Sequence, residues 1–234
     1  MFLLNLFKIL ILFVLLGCQS CGLWQGKSIE TPAPFVVEEL KSEIPFSTRE
    51  PENYQTEIVV SRPGSELEEK IFAAKSGANR LLVFNYQQNR ETAVLQTSAN
   101  QNYTIARAQK IFVENLPDSG AQRETLNDFL VAELLNRRRA GAFETLGAEN
   151  NLTKYRVRLD ESEKSEIIIF VDEKINLPIR QEFYSINNEA SQLTLTIELR
   201  NFNFQPDASI FELPKDYRKV AAKEFVDIHR VRTK

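Results

Sequence analysis

Hydrophobic and polar residues follow one another along this chain in three distinct regimes. Met1 to Leu16 is almost wholly apolar and ends in an unbroken run from Ile9 to Leu16, with Lys8 just before it. The run falls short of the ~20 residues that a helix needs to cross a bilayer, so it reads as a secretory leader and not as a membrane span. From Gln19 to about Tyr54 the chain is broken by Pro32, Pro34, Pro45 and Pro51, the composition of a fairly stiff, extended spacer. Inside that spacer Val36, Val37, Leu40 and Ile44 stand at helical spacing, which predicts a short helix packed on the domain that follows.

From Tyr54 onward the apolar period shortens to two, with turn residues every ten positions or so, the pattern of an antiparallel sheet. Strands are predicted at Tyr54 to Arg62, Lys70 to Lys75, Arg80 to Tyr86, Glu91 to Thr97, Tyr103 to Arg107 and Lys110 to Glu114. Ser76-Gly77-Ala78-Asn79 is a natural hairpin connection between the second and third. A single helix interrupts the meander. Thr125-Leu-Asn-Asp128 has the spacing of a capping box, Leu126, Phe129, Leu130 and Leu134 form an apolar stripe, and Gly141 lies beyond Arg137-Arg138-Arg139 as a terminator. Strands resume at Phe143 to Leu146, Leu152 to Leu159, Glu166 to Val171, Leu177 to Ile186 and Gln192 to Phe204. Ile167 to Val171 is apolar at every position and predicts cover on both faces. In the last strand Leu193, Leu195, Ile197 and Leu199 share one parity, but Phe202 and Phe204 take the other, so a bulge is expected near Asn201.

Composition narrows the function classes. The chain has 234 residues, 43% hydrophobic and 26% charged, which places it among folded globular proteins. Its 29 Lys and Arg against 32 Asp and Glu leave no basic surplus to attract a phosphate backbone, so nucleic acid is not an expected partner. The one His, His229, sits in a charged C-terminal stretch that reads as a surface tail, and general-base or zinc chemistry rarely does without a well-placed imidazole. A binding protein is therefore expected rather than an enzyme, with no catalytic residue, metal ligand or cofactor. Arg137 to Arg139 read as solvated charges at a helix C-terminus, and Asp160, Glu161, Glu163 and Glu166 as a solvated hairpin tip, not a calcium loop.

The end of the leader carries more specific chemistry. Leu15-Leu16-Gly17-Cys18 resembles the lipobox of bacterial lipoprotein precursors, in which the Cys becomes the acylated amino terminus. Cys18 is thus the expected lipid attachment site, and residues 1–17 the signal peptide. Two or three acyl chains on one residue anchor a protein to a membrane without spanning it. Gln19 follows Cys18 where an Asp would resemble an inner-membrane retention signal, so the expected location is the outer membrane, facing the periplasm. Cys21 is left as a bystander, since a disulfide to Cys18 would close only a tiny loop.

The C-terminal half carries a family resemblance. Phe170-Val-Asp-Glu-Lys-Ile-Asn-Leu-Pro-Ile-Arg-Gln-Glu-Phe183, then Leu199-Arg-Asn-Phe202, then Ser209-Ile-Phe-Glu-Leu-Pro214 ahead of Tyr217-Arg218 resemble, in order, the closing elements of LolA-like proteins. That superfamily includes the lipoprotein carrier LolA, the acceptor LolB and RseB-like sensors. The resemblance implies an α+β, mainly β fold: an incomplete antiparallel β-barrel of about ten to eleven strands with a helical lid over an apolar concavity. It divides the chain into a lipidated tether, 18–53, and a half-barrel domain, 54–234. Of the 16 Phe, three (Phe2, Phe7 and Phe13) lie in the leader, and the remaining 13 supply more aromatic surface than a thin open sheet hides unaided. Strand parity and the helix stripe nominate Ile58, Val60, Leu82, Phe84, Tyr86, Phe129 and Phe183 as cavity residues. The implied function is hydrophobic-ligand binding, the acyl chains of lipoprotein or lipid, in carriage or sorting. An RseB-like sensor or interaction module with an envelope protein partner is the alternative. LolB-like acceptors also present an exposed apolar loop, a place that Leu116-Pro117 could occupy.

Overall fold

The computed structural model describes residues 44–86, 90–116, 125–131, 143–158, 164–187 and 190–231. The leader, Cys18, Cys21 and the short helix expected over residues 35–44, apart from Ile44, lie outside them, as do Arg137 to Arg139, Gly141 and the turn carrying Asp160, Glu161 and Glu163. Residues Ser42–Lys234 form one compact unit, and Ile44 and Phe46 already pack into its main core.

The strands follow the alternation closely: β1 (Asn53–Ser61), β2 (Glu69–Ser76), β3 (Asn79–Tyr86), β4 (Arg90–Gln96), β5 (Asn102–Ala106) and β6 (Ile111–Glu114) precede helix α1 (Leu126–Leu130). After it come β7 (Phe143–Glu149), β8 (Leu152–Arg158), β9 (Ser165–Asp172), β10 (Leu177–Asn187), β11 (Ala190–Asn203), β12 (Arg218–Lys219) and helix α2 (Ala222–Val231). Among the described residues all strands join one sheet in the order β12-β6-β5-β4-β3-β2-β1-β11-β10-β9-β8-β7. Two meanders are therefore stitched together by the antiparallel β1–β11 pair, and the sheet ends at β12 and β7 without closing. Gly77 takes φ 58° between Ser76 and Asn79, which pair directly, as the first central residue of a tight hairpin.

Twelve strands exceed the expected ten to eleven. The extra one, β12, is two residues long and pairs parallel with β6, too short to show any alternation. The C-terminal stretch is a second correction. Residues read as a surface tail form α2, which seats Phe225, Ala222 and Ile228 against Ala106, Ile111, Val113 and Val220. The i, i+3, i+6 spacing of Ala222, Phe225 and Ile228 was the overlooked signal. The side chain of His229 lies outside the described set.

Burial splits between the two faces of the sheet. Ile71, Ala73, Leu82 and Phe84 of β2 and β3 point into the main core, which also holds Tyr54, Ile58, Ile167, Ile169, Val171 and Leu199. Their neighbours Phe72, Ala74, Leu81 and Val83 point the other way, into a second core with Leu95, Ile105 and Phe211. The one-turn helix Ala208–Phe211, capped by the Asp207 side chain on the Ser209 amide, contributes Phe211 to that core. On β9 only the face bearing Ile167, Ile169 and Val171 is fully buried. The sequence predicts cover on both faces, but among the described residues no second layer lies over the other face of this strand: Phe170 lies under Lys154 Nζ (5.4 Å) and the Arg180 guanidinium (5.3 Å), whose apolar stems and charges supply the cover.

Bulges curve the long strand β11. Gln55 pairs with Asn203 but Glu57 with Arg200, so one extra residue is inserted opposite Thr56, and Asn201 takes φ 56° there. The parity switch read from the sequence is this bulge. It turns Phe202 onto the face of Tyr54, with which it stacks at 5.9 Å, and Thr56 Oγ1 donates to the Arg200 carbonyl at 3.0 Å.

Candidate functional site

Helix α1 lies over β10 and drives Leu126 and Leu130, with Val131 beyond its last turn, into the main core. The Asp128 carboxylate accepts a hydrogen bond from the Thr125 amide, the return half of the capping box expected at this point. Beside the helix is a pocket of about 340 Å³ lined by Asp128, Phe129, Leu130, Val131, Ile167, Gln181, Phe183, Thr194, Leu195 and Ile197. A smaller one of about 220 Å³ shares Ile167, Phe183 and Thr194 with it and runs towards Ser165, Tyr184 and Ser185. The two lie side by side over β9, β10 and β11, and the larger forms a trough beside α1.

A second bulge shapes this trough. Phe183 pairs with Leu195 but Tyr184 with Leu193, leaving Thr194 as the extra residue of β11. Consecutive residues of a regular strand face opposite ways. The bulge allows Thr194 and Leu195 to line one pocket together. Its local cost is offset because Thr194 Oγ1 donates to the Phe183 carbonyl at 2.9 Å.

A buried ionic clasp holds the start of the helix. The Glu50 side chain, 10% exposed, accepts from both terminal nitrogens of Arg80 (2.8 and 2.6 Å), from Tyr54 Oη (2.8 Å) and from the Leu126 amide (3.0 Å). Lys75 Nζ lies 3.6 Å from its second oxygen. Burial pushes this carboxyl up, yet the hydrogen bonds from Leu126, Arg80 and Tyr54 outweigh it and hold the group below its ordinary value of 4.5. Burial, then the Glu50 charge and hydrogen bond, push the Tyr54 hydroxyl up. Since the folded carboxyl is the stronger acid, the stability it contributes is complete above the unfolded pKa. It is lost as pH falls below about 4.5 through the folded value. Stability should therefore drop on acidification below that point, and the drop should shrink in Glu50→Gln, a comparison that chemical denaturation from pH 7 to pH 3 makes directly.

Of the residues nominated from the sequence, the structure brings Phe129 and Phe183 to the pocket wall. Ile58 and Leu82 are 0% and 2% exposed and belong to the core, with Phe84 packed against it. Val60 is half-buried and lines neither pocket. Tyr86 closes β3, and its side chain lies outside the described residues. Leu116 packs against Val113 and Phe225 rather than forming an exposed loop tip, and Pro117 is not among the described residues. Gln181, Thr194, Leu195 and Ile197 escaped sequence reasoning. Gln181 is the polar position within Arg-Gln-Glu, where nothing local marks it as inward-facing.

Fold and site together define an open antiparallel half-barrel protein with an apolar trough beside a helix. No family model and no curated protein matches the sequence. Solved structures to which the chain is similar include the MucA/MucB complex of Pseudomonas aeruginosa, at 15% identity and a TM-score of 0.35, covering 72% of this chain and 58% of that one. They also include an uncharacterized conserved protein from Thermus thermophilus (12%, 0.41, covering 72% and 89%). A third is an outer membrane lipoprotein-sorting protein domain from Vibrio parahaemolyticus (9%, 0.25, covering 68% and 89%). The chain thus spans under two thirds of the MucB chains, 57% in another MucB complex. The third of these structures is named for lipoprotein sorting, the theme of the sequence resemblance. At such scores the likeness carries no functional argument, which rests on the trough itself.

Proposed function

We propose that this chain is a lipid-anchored envelope protein that binds acyl chains of a lipoprotein or lipid in the trough beside α1, acting in carriage or sorting without covalent chemistry. The observation that carries the reading is the 340 Å³ pocket walled by Phe129, Leu130, Val131, Ile167, Phe183, Leu195 and Ile197. Its size falls in the roughly 300–1,000 Å³ range of ligand sites. Burial of a flexible hydrocarbon there is driven by release of its hydration water. Acylation at Cys18, as read from Leu15 to Cys18, would tether the protein to the membrane that supplies such chains.

Native mass spectrometry of the full-length chain isolated from a bacterial envelope tests both parts. An acylated amino terminus at Cys18 and a co-purifying acyl-bearing molecule are expected. Occupancy should fall ~10-fold or more in Phe183→Asp, which sets a carboxylate against the chain. A stoichiometric protein partner with no lipid in any preparation would overturn the carrier reading in favour of an interaction module.

A further inference from the structure

Among the polar residues lining the main pocket, two are already engaged. Asp128 accepts from the Thr125 amide and Thr194 donates to the Phe183 carbonyl. Gln181 is different. It is 1% exposed, sits on β10 between Ile169 of β9 and Ile197 of β11, and its Nε2 has no hydrogen-bond partner among the described residues. An orphaned amide donor among isoleucine, leucine and phenylalanine is costly, and buried polar groups are otherwise almost always paired. A methionine or leucine would fill the same place without that cost.

We propose that Gln181 is the polar recognition group of this trough, its Nε2 donating to the carbonyl oxygen of an acyl ester, so that the site selects acyl esters over plain hydrocarbon. The inference rests on the reading of the trough as an acyl-chain site and adds the group that discriminates among apolar ligands. The chemistry favours a neutral carbonyl. A carbonyl oxygen accepts from one of the two N–H groups of Nε2 without bringing charge, whereas a free carboxylate would bring an ionised group into an apolar wall that already carries Asp128. Nε2 is closed off from solvent, so this role requires the neighbouring pocket wall to give way for the carbonyl to reach it. Pairing the orphan then adds to affinity what its unpaired burial costs.

The test uses methyl laurate and n-pentadecane, matched in heavy atoms and delivered from cyclodextrin, titrated against the full-length chain and Gln181→Met. Wild type is expected to bind the ester ~10-fold more tightly than the alkane, and the variant to lose that preference through weaker ester binding. The melting temperature of Gln181→Met should equal or exceed that of wild type, since the substitution removes an unpaired group; a fall would overturn the premise. Survival of the ester preference in the variant, or equal loss of both probes, would overturn the role of Gln181 and leave the trough reading standing. Failure of wild type to bind either probe would bring down both.

Discussion

Glu50→Ala should cost about 3 kcal/mol of stability. Removing one member of a buried ion pair typically costs ~3–5 kcal/mol, because the partner keeps its charge and loses its compensation. Here the carboxylate serves four groups at once, and its loss strands the Arg80 guanidinium, the Tyr54 hydroxyl and the Leu126 amide, while the Lys75 ammonium keeps Glu52 at 3.5 Å. Arg80 and Lys75 side chains are 21% and 12% exposed, so water partly rescues them, and the expectation sits at the lower end. The pair need not be a net source of stability: Glu50→Leu combined with Arg80→Met should cost less than Glu50→Ala alone, as hydrophobic replacement of buried ion pairs often does. Equilibrium denaturation at pH 7 measures both. A loss below ~1 kcal/mol for the single variant would mean that the clasp is solvated and does not hold α1.

Ile58→Ala should cost about 3–4 kcal/mol, within the ~2–5 range for large-to-small core changes. Ile58 is fully buried on β1, paired with Ile71 of β2 on one side and Leu199 of β11 on the other. It thus sits where the two meanders join. Hydrogen bonds to strands on both sides hold the backbone in place, so the cavity left behind collapses little. Ligand affinity should change far less than in Phe183→Asp, because Ile58 lines neither pocket. An Ile58→Ala variant of unchanged stability that no longer binds acyl chains would return this residue to the cavity.

Those two residues show how far local pattern reaches. Period-two alternation placed β1 to within a residue at each end and put Tyr54, Ile58 and Val60 on one face, because side-chain direction in a strand depends only on parity. The same rule exposed the bulge at Asn201, where parity flips. It could not separate pocket from core. Ile58 and Phe183 carry the same signal, an apolar residue on the inner face, and differ only in whether another element packs over them. The wall residue Leu195 and its neighbour Thr194 share the pocket through a bulge whose insertion leaves no mark in the composition around it.

The sequence by itself determined which of the longer segments are strands and where helix α1 starts, since each depends on residues within a few positions of one another. Tertiary structure alone decided the trough, the clasp and the orphaned amide. Glu50 meets Arg80 30 residues away and Leu126 76 residues away. Gln181 is stranded by neighbours from two other strands. Such meetings depend on how the whole sheet curves and what the helix covers, a sum of long-range packing choices that no short window contains.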